Sequence, residues 1–492
     1  MRTTGLKHKR RGLFFRLLLS IISGGLFIFA FPPFNLWLFA FFSLVPLIFA
    51  GKENDGKNFF FGLIAGLIFY SASFLWLSQL AGPLYLFLAL YLSLYWGVFL
   101  YLVFALPEKN RIFIAGSLWF LLEIITSHLL TGFPWLSMGL SQWNCPYILR
   151  ASSFIGIFGL SFLVITGNFT LFYSFRKTKI LSWFFSVLCF IALVFSPLFT
   201  IPVSNNHKNY LNVLIIQPNI NSSINTNYSH NIEKIKNLTS EELKKNKADI
   251  VIWPEGAYPD TITQNLELLD DLQTFTKKHS VGLILGSFTG NDKIYNSALL
   301  IEGERIQTHN KTHLAPYGEF IPGGRLKIIS SLFEKLAGYI PYIEQSSELT
   351  PFSFKDINLG VLICFENIFP EITNSLIEKE TGIFIVITND SWFGYSAGPY
   401  QHFAHNSIRA VETGRYFIIS ALSGISGIVA PDGTVKAIVK DNGESLYVNG
   451  SVFYAVPVLQ NKTIYTITGD IPMFLLSVLF IGAAICRTRQ KK

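Results

Sequence analysis

The feature that most constrains this chain is a succession of long apolar runs, which leaves little scope for an ordinary soluble fold. Seven precede residue 204, at about 13–30, 34–51, 58–80, 82–106, 112–131, 152–174 and 180–200, and an eighth covers about 471–486. A helix needs roughly 20 mostly apolar residues to cross a bilayer, and each run is near that length. The first two are divided at Phe31-Pro32-Pro33-Phe34, because proline stops a helix and restricts the residue before it. The first run has the basic start of a cleaved signal, but no small-residue cleavage site follows it and more apolar runs come directly after. Only 14% of the residues are charged, against about 25% in a typical soluble protein. Disordered and collagen-like chains are excluded on composition, and four cysteines in 492 residues exclude a disulfide scaffold.

The net charge of +8 would suggest nucleic acid if it were spread evenly, and it is not. Residues 1–203 carry net +10, residues 204–468 net −5 and residues 469–492 net +3. The positive charge therefore sits between apolar runs, as it does in membrane proteins. The basic stretches lie at 7–11, 52–57, 109–111, 176–179 and 487–492. With eight spans, all of them fall on one face, which should be the cytoplasmic one. The expected division is a membrane domain at 1–203, an outer domain at 204–468, and a closing span with a basic tail at 469–492. Both termini are then cytoplasmic. Within the spans Glu123 stands out, since a carboxyl at that depth is either a packed, hydrogen-bonded group or a functional one.

Residues 204–468 alternate short β-branched runs with polar connections. Strands are predicted at 212–217, 249–253, 283–287, 297–301, 359–363, 384–388, 416–421 and 427–430. Helices are predicted at 229–246, 264–279 and 402–414. Strands alternating with helices indicate a layered α/β domain.

Reactive side chains stand where apolar strands end. Ile250-Val251-Ile252-Trp253-Pro254 runs into Glu255, and Gly360-Val361-Leu362-Ile363 runs into Cys364-Phe365-Glu366. Between them His309-Asn310-Lys311-Thr312-His313 follows a hairpin turn. Taken singly, a lone cysteine is more often a small buried hydrophobe, and a lysine or glutamate is usually solvated. Cys364 has no cysteine partner inside 204–468, although a disulfide to Cys145 stays open at this stage. Together the three side chains supply a base, an electrostatic stabiliser and a nucleophile for acyl transfer. His402 and His405 share a helical stretch but lack a third ligand of a zinc motif, so no metal is expected.

The order Glu255, Lys311, Cys364 resembles the nitrilase, or carbon–nitrogen hydrolase, superfamily with its Glu-Lys-Cys triad. The resemblance extends to Tyr317-Gly318-Glu319-Phe320, Asn389-Asp390-Ser391-Trp392-Phe393-Gly394, Gln401-His402 and Arg409-Ala410-Val411-Glu412-Thr413-Gly414-Arg415. It implies an α-β-β-α sandwich on a polytopic helical membrane domain. Seven spans, an outer domain of this kind and one closing span look like the bacterial apolipoprotein N-acyltransferases, and Gly132-Phe133-Pro134-Trp135 adds to the likeness. Two departures are visible. No tryptophan stands in Gln217-Pro218-Asn219-Ile220-Asn221-Ser222, and Phe365 stands where tyrosine is frequent. The motif at Glu123 also differs, reading Glu-Ile-Ile-Thr, so no catalytic role is assigned to it.

That likeness implies an inner-membrane enzyme with a periplasmic catalytic domain and no cofactor. Its donor would be a phospholipid such as phosphatidylethanolamine. Its acceptor would be the N-terminal amine of a diacylglyceryl-cysteine apolipoprotein. Cys364 would be the nucleophile of a ping-pong reaction, Glu255 the proton acceptor and Lys311 the oxyanion stabiliser. Glu319, Phe365 and Glu366 would support them, Glu366 either as a tuning group or as a structural hydrogen-bond partner. Phe333, Leu336, Tyr339 and Trp392 would line apolar loops that meet the lipid, or simply pack. A single tethered copy is expected, with no nucleic acid partner. The rival enzyme is a membrane-anchored amidase acting on a small amide, for which one anchor would suffice. A transporter or receptor would want more polar residues along its spans.

Overall fold

The computed structural model describes residues 2–176, 209–220, 228–316, 318–321, 330–331, 334–335 and 342–489. The chain divides into two compact units. One is Met1–Thr200 with Ile467–Lys492, and the other is Ile201–Thr466.

The first unit is helical. Its helices include Arg2–Ile28, Asn58–Ser73, Tyr85–Ala105, Arg111–His128, Ser152–Arg176 and Ile471–Arg489. Among the described residues, three helical stretches are long and apolar enough to cross a membrane: Leu75–Ala105, Arg111–Thr131 and Ser152–Phe175. Four apolar helices are shorter: Gly12–Ile28, Trp37–Ala50, Asn58–Ser73 and Ile471–Arg487. The expected span at 180–200 lies outside the described residues. Close approach of helices rests on small residues. A methyl group on Gly62 would come within 2.3 Å of the Trp96 carbonyl oxygen, so the helices Asn58–Ser73 and Tyr85–Ala105 touch backbone to backbone there.

The run at 34–51 is not one continuous helix. A 3-10 turn at Trp37–Phe41 is followed by the short helix Val45–Ala50, with Pro46 in its first turn. Proline cannot donate to the preceding turn, so the ladder breaks there. Asn168, on the helix Ser152–Arg176, bridges the gap between the two pieces. Its Oδ1 accepts from Leu44 N at 2.9 Å and its Nδ2 donates to Ala40 O at 2.7 Å. Arg16 is buried as well. It donates to Ala50 O, to Asp55 and to Asn58, and its guanidinium stacks over Phe61. Glu123 has a packing role: its Oε1 accepts from Trp119 Nε1 and from Met138 N, both at 2.8 Å. It thereby fastens the turn Met138–Gln142 to the helix Arg111–His128.

The second unit contains two sheets. The strands are β1 (Tyr210–Gln217), β2 (Ile250–Ile252), β3 (Tyr258–Thr261), β4 (Gly282–Thr289), β5 (Tyr295–Glu302), β6 (Arg305–Asn310), β7 (Phe352–Phe354), β8 (Ile357–Ile363), β9 (Thr381–Thr388), β10 (Phe417–Ala421), β11 (Gly427–Val429), β12 (Val435–Ile438) and β13 (Gly450–Pro457). One sheet runs β13-β1-β2-β4-β5-β6, with β3 beside β4, and the other runs β12-β11-β10-β9-β8-β7. The inner faces meet in one apolar core. Val213, Ile215, Ile252 and Leu300 come from the first sheet, and Val361, Ile363, Ile385 and Ile418 from the second. The outer face of the first sheet, with Val251, Leu283 and Leu299, is covered by Ile232 and Ile235 of the helix Tyr228–Lys245 and by Leu272 of Leu266–His279. The helices Pro370–Glu378 and Gly398–Thr413 pack on the second sheet. Two sheets between two helical layers make an α-β-β-α sandwich. Five strands go beyond the sequence reading, β3, β6, β7, β12 and β13, together with the helix Pro370–Glu378. Cys145 and Cys364 are both free thiols.

Candidate active site

Each reactive side chain leaves the sandwich where a strand stops. After β2 the chain passes Trp253 and Pro254 and presents Glu255, followed by Gly256 in the left-handed region. Trp253 N donates to Ile284 O at 2.8 Å and Gly286 N to Pro254 O at 3.1 Å, so the segment stays tied to β4 beyond the last strand residue. Gly286 is required by that approach, since a methyl group on it would lie 2.4 Å from Glu255 Cα. Lys311 follows β6 directly, and its backbone N–H donates to Asn296 O at 2.8 Å. Cys364 follows β8 with φ of +52°, a left-handed conformation for a residue with a side chain. Such a conformation costs on the order of 1–3 kcal/mol and persists only where the surroundings impose it.

Three of the expected residues meet. Lys311 Nζ lies 2.8 Å from Glu319 Oε2 and 3.7 Å from Glu255 Oε1, and the lysine is 1% exposed. Asn296 joins the two carboxylates, its Nδ2 donating to Glu255 Oε1 at 2.7 Å and to Glu319 Oε1 at 2.6 Å. Glu255 Oε2 accepts from Asn389 N at 2.8 Å, and Glu319 Oε2 from Ala315 N at 2.7 Å. Burial by itself would lower the Lys311 ammonium, but the carboxylates of Glu319 and Glu255 outweigh it and hold the lysine above its ordinary range. Burial raises the Glu255 carboxyl, with the charge of Lys311 partly offsetting it. Burial also pushes the Cys364 thiol well up. The Glu255 charge adds to that, while Lys311 works the other way. The resting site therefore holds a neutral thiol beside a cation and a carboxyl group of raised basicity, which suits proton transfer at the moment of attack.

Glu366 has a different character. It is fully buried, and its Oε1 accepts from Thr312 N, Thr312 Oγ1 and His313 N at 2.6, 2.7 and 3.1 Å. Its Oε2 accepts from Ile363 N at 2.8 Å. It thus ties the turn carrying Lys311 to the turn carrying Cys364. Phe365 is buried, its ring against His313 and Phe369. Trp392 stands in the turn Asp390–Phe393 and is 51% exposed. Phe333, Leu336 and Tyr339 lie outside the described residues.

Residues that sequence reasoning did not select complete the surroundings. Asn296 is a polar residue amid the buried positions of β5, and only the pairing with β6 brings it to Lys311. Asp390 and His402 lie in Asn389-Asp390-Ser391-Trp392-Phe393-Gly394 and Gln401-His402, and sequence alone gives them no part in the chemistry. Cys364 Sγ, an Asp390 carboxylate oxygen and a ring nitrogen of His402 fall within 4.8 Å of one another. One ring nitrogen of His402 lies 2.9 Å from Asp390 Oδ1, and the other faces Cys364 O and Asn367 Oδ1.

Residues 213–450 match the carbon-nitrogen hydrolase family, the class that the sandwich and its strand-end residues define. Solved structures similar to the chain include a carbon-nitrogen hydrolase from Helicobacter pylori G27, at 16% identity over 54% of this chain and 94% of that one, with a TM-score of 0.40. An amidase from Nesterenkonia sp. is similar at 16% identity over 52% of this chain and 94% of that one, with a TM-score of 0.37. Residues 23–170 match a second family, described as the apolipoprotein N-acyltransferase N-terminal domain. Curated relatives named apolipoprotein N-acyltransferase match nearly end to end. That of Rickettsia typhi is 31% identical, covering 94% of this chain and 96% of its own. That of Rickettsia prowazekii is 30% identical with the same coverage, and that of Geobacter metallireducens is 27% identical over 89% of this chain and 90% of its own. The chain belongs to the apolipoprotein N-acyltransferase family.

Proposed function

We propose that this protein moves an acyl chain from a phospholipid to the N-terminal amine of a diacylglyceryl-cysteine apolipoprotein, through a thioester on Cys364. The observation that carries the reading is the buried Lys311 held between Glu255 and Glu319 and acting electrostatically on the Cys364 thiol, in a chain rich in apolar helices. Glu255 takes the thiol proton as sulfur attacks the ester carbon. Lys311 and the Phe365 N–H receive the charge that develops on the carbonyl oxygen. The C–O bond breaks, and the lysophospholipid alkoxide leaves with the proton returned by Glu255. The amine then attacks the thioester and gives a proton to Glu255. The C–S bond breaks, sulfur leaves as thiolate and takes up that proton, and an amide remains. This is a ping-pong sequence. Glu319 orients Lys311, and Glu366 fixes the turns that carry Lys311 and Cys364. Phosphatidylethanolamine is the donor of choice, and the protein works as a single tethered copy.

The reading extends to topology. Eight spans, counting 34–51 and 180–200, put every basic stretch on the cytoplasmic face and the catalytic unit in the periplasm. Apolar loops around Trp392 and residues 332–343, with Phe333, Leu336 and Tyr339, guide the acyl chains and keep water from the thioester. The test is intact-mass analysis of the full chain after incubation with phosphatidylethanolamine vesicles, beside Cys364→Ala. One acyl-chain mass, released by hydroxylamine and missing in the variant, is the expected result. A folded protein that never gains the adduct would overturn the reading, and release of acid from a small soluble amide would favour a hydrolase.

A further inference from the structure

Two buried groups beneath the thiol take no part in the reaction just described. Asp390, in the turn after β9, and His402, on the helix Gly398–Thr413, are 3% and 2% exposed. They meet at 2.9 Å through Nδ1 of the imidazole. The other ring nitrogen, Nε2, lies 3.2 Å from the carbonyl oxygen of Cys364 and 3.0 Å from Oδ1 of Asn367.

The protons on this imidazole follow from its neighbours. The Cys364 carbonyl can only accept. The Asn367 amide is oriented by a chain of bonds. Asn406 Nδ2 donates to Phe403 O at 3.1 Å, which leaves Asn406 Oδ1 to accept from Asn367 Nδ2, also at 3.1 Å. Asn367 therefore turns its oxygen toward Nε2. Both groups around Nε2 are acceptors, so Nε2 carries a hydrogen. On the other side, Asp390 Oδ1 already accepts from Thr388 Oγ1 at 2.8 Å and faces Nδ1 as a second acceptor. An imidazole with hydrogen on both nitrogens is a cation. Burial works against that charge, and the Asp390 carboxylate outweighs it, so His402 is raised above the ordinary imidazole range. The groups that raise it are the Asp390 carboxylate, the backbone carbonyl of Cys364 after β8, and the Glu255 charge after β2.

The carbonyl that His402 faces belongs to the same peptide as the Phe365 N–H. A charged donor fixes the plane of that peptide. It also strengthens the N–H at its other end, because linked hydrogen bonds polarise one another. It further accounts for how Cys364 keeps φ of +52°. We propose that His402 is a positioning residue: as an imidazolium anchored by Asp390, it holds the Cys364–Phe365 peptide, and with it both the thiol and the N–H offered to the oxyanion. The clamp rests on the acyl-transfer reading for the reaction it serves.

The test uses the full-length protein with phosphatidylethanolamine vesicles and follows thioester formation by intact mass. His402→Gln is expected to slow the acylation step about 10- to 100-fold, less than the roughly 100- to 1,000-fold loss of a direct oxyanion donor, with donor KM within about twofold. Asp390→Asn keeps the shape and removes the counter-charge. The imidazolium is then lost at lower pH, and the alkaline limb of the acylation rate should move acidward by about one unit or more. A folded His402→Gln protein that acylates at the wild-type rate overturns the clamp. If that variant does not fold, an alkaline limb unmoved in Asp390→Asn overturns it instead. Cys364→Ala separates the two ideas. Acyl transfer surviving in that variant removes the thioester reading itself. Its loss, beside wild-type behaviour of the His402 and Asp390 variants, removes only the clamp.

Discussion

Replacing Glu366 with glutamine tests how the turns that carry Lys311 and Cys364 are held together. The carboxylate accepts four bonds, three on Oε1 from Thr312 and His313 and one on Oε2 from Ile363 N, in a fully buried setting. Burial alone would push its carboxyl up. His309 and the four donors outweigh burial and bring it from the ordinary 4.5 down to about 2. At about 1.4 kcal/mol per pH unit, that difference is roughly 3 kcal/mol of stability carried by the ionised form. A direct estimate agrees. Glutamine must turn its NH2 either toward Ile363 N–H or toward the Thr312 and His313 donors, stranding at least one buried donor at a cost of about 1–3 kcal/mol, in addition to the lost charge assistance. For a unit of this size about 1 kcal/mol moves Tm by roughly 2–4 °C, so Glu366→Gln should melt about 6–12 °C lower near pH 7. The pH dependence has a definite sign. A carboxyl lowered on folding contributes stability above its unfolded value, and that contribution fades as pH falls toward its folded value. The gap between wild type and variant should therefore be constant above about pH 5 and shrink below about 4.5. Thermal unfolding in detergent, followed by tryptophan fluorescence across that range, measures it. A gap under about 2 °C at pH 7, or one unchanged at pH 3, would refute the account of Glu366 as a charged tie.

Three further perturbations have expected outcomes. Asn296→Ala removes the donor shared by Glu255 and Glu319, which raises the Glu255 carboxyl further; the acid limb of the acylation rate should move to higher pH, with a loss of about tenfold or more at pH 6 by thioester mass. Glu255→Gln removes a charge that opposes the Cys364 thiolate while Lys311 remains, so iodoacetamide labelling of Cys364 should reach half its maximal rate at lower pH even as acyl transfer collapses. Gly286→Ala sets a methyl group against Glu255 Cα at a place where both partners are backbone; a loss of about 1–3 kcal/mol in chemical denaturation, with a fall in acylation out of proportion to unfolding, is expected.

The parts of this molecule that can be read in its sequence are those where one physical term dominates. Long apolar runs announce the helices of the first unit, and β-branched runs announce the central strands, because each such strand is buried on both faces. The strands that escaped are edge or short ones. The residues Arg305-Ile306-Gln307-Thr308-His309-Asn310 of β6 and Val435-Lys436-Ala437-Ile438 of β12 are largely solvent-facing and carry no apolar pattern. β13 pairs with β1 from more than two hundred residues away, a partnership no local window contains. The site divides in the same way. Glu255 and Cys364 stand out because each ends an apolar strand, and Lys311 because of its place between them. Asn296, Asp390 and His402 are ordinary polar residues until the sheets assemble, and their significance lies in partners distant along the chain. The interruption at 37–50 shows the converse, where a compositionally continuous run breaks into two short pieces and a distant asparagine pairs a backbone group left between them.

That interruption bears on how the protein is made. Leu44 N is satisfied by a side chain 124 residues further along. At a synthesis rate of roughly 5–20 residues per second, Asn168 reaches the growing chain about 6–25 s after Leu44 does. On the eight-span topology proposed above, the stretch around residues 40–44 has in that interval backbone groups that lipid cannot satisfy. It would then wait at the bilayer surface or beside the insertion machinery. A nascent chain cut short before Asn168 should therefore leave this stretch accessible to water-borne reagents, and one carried past it should not.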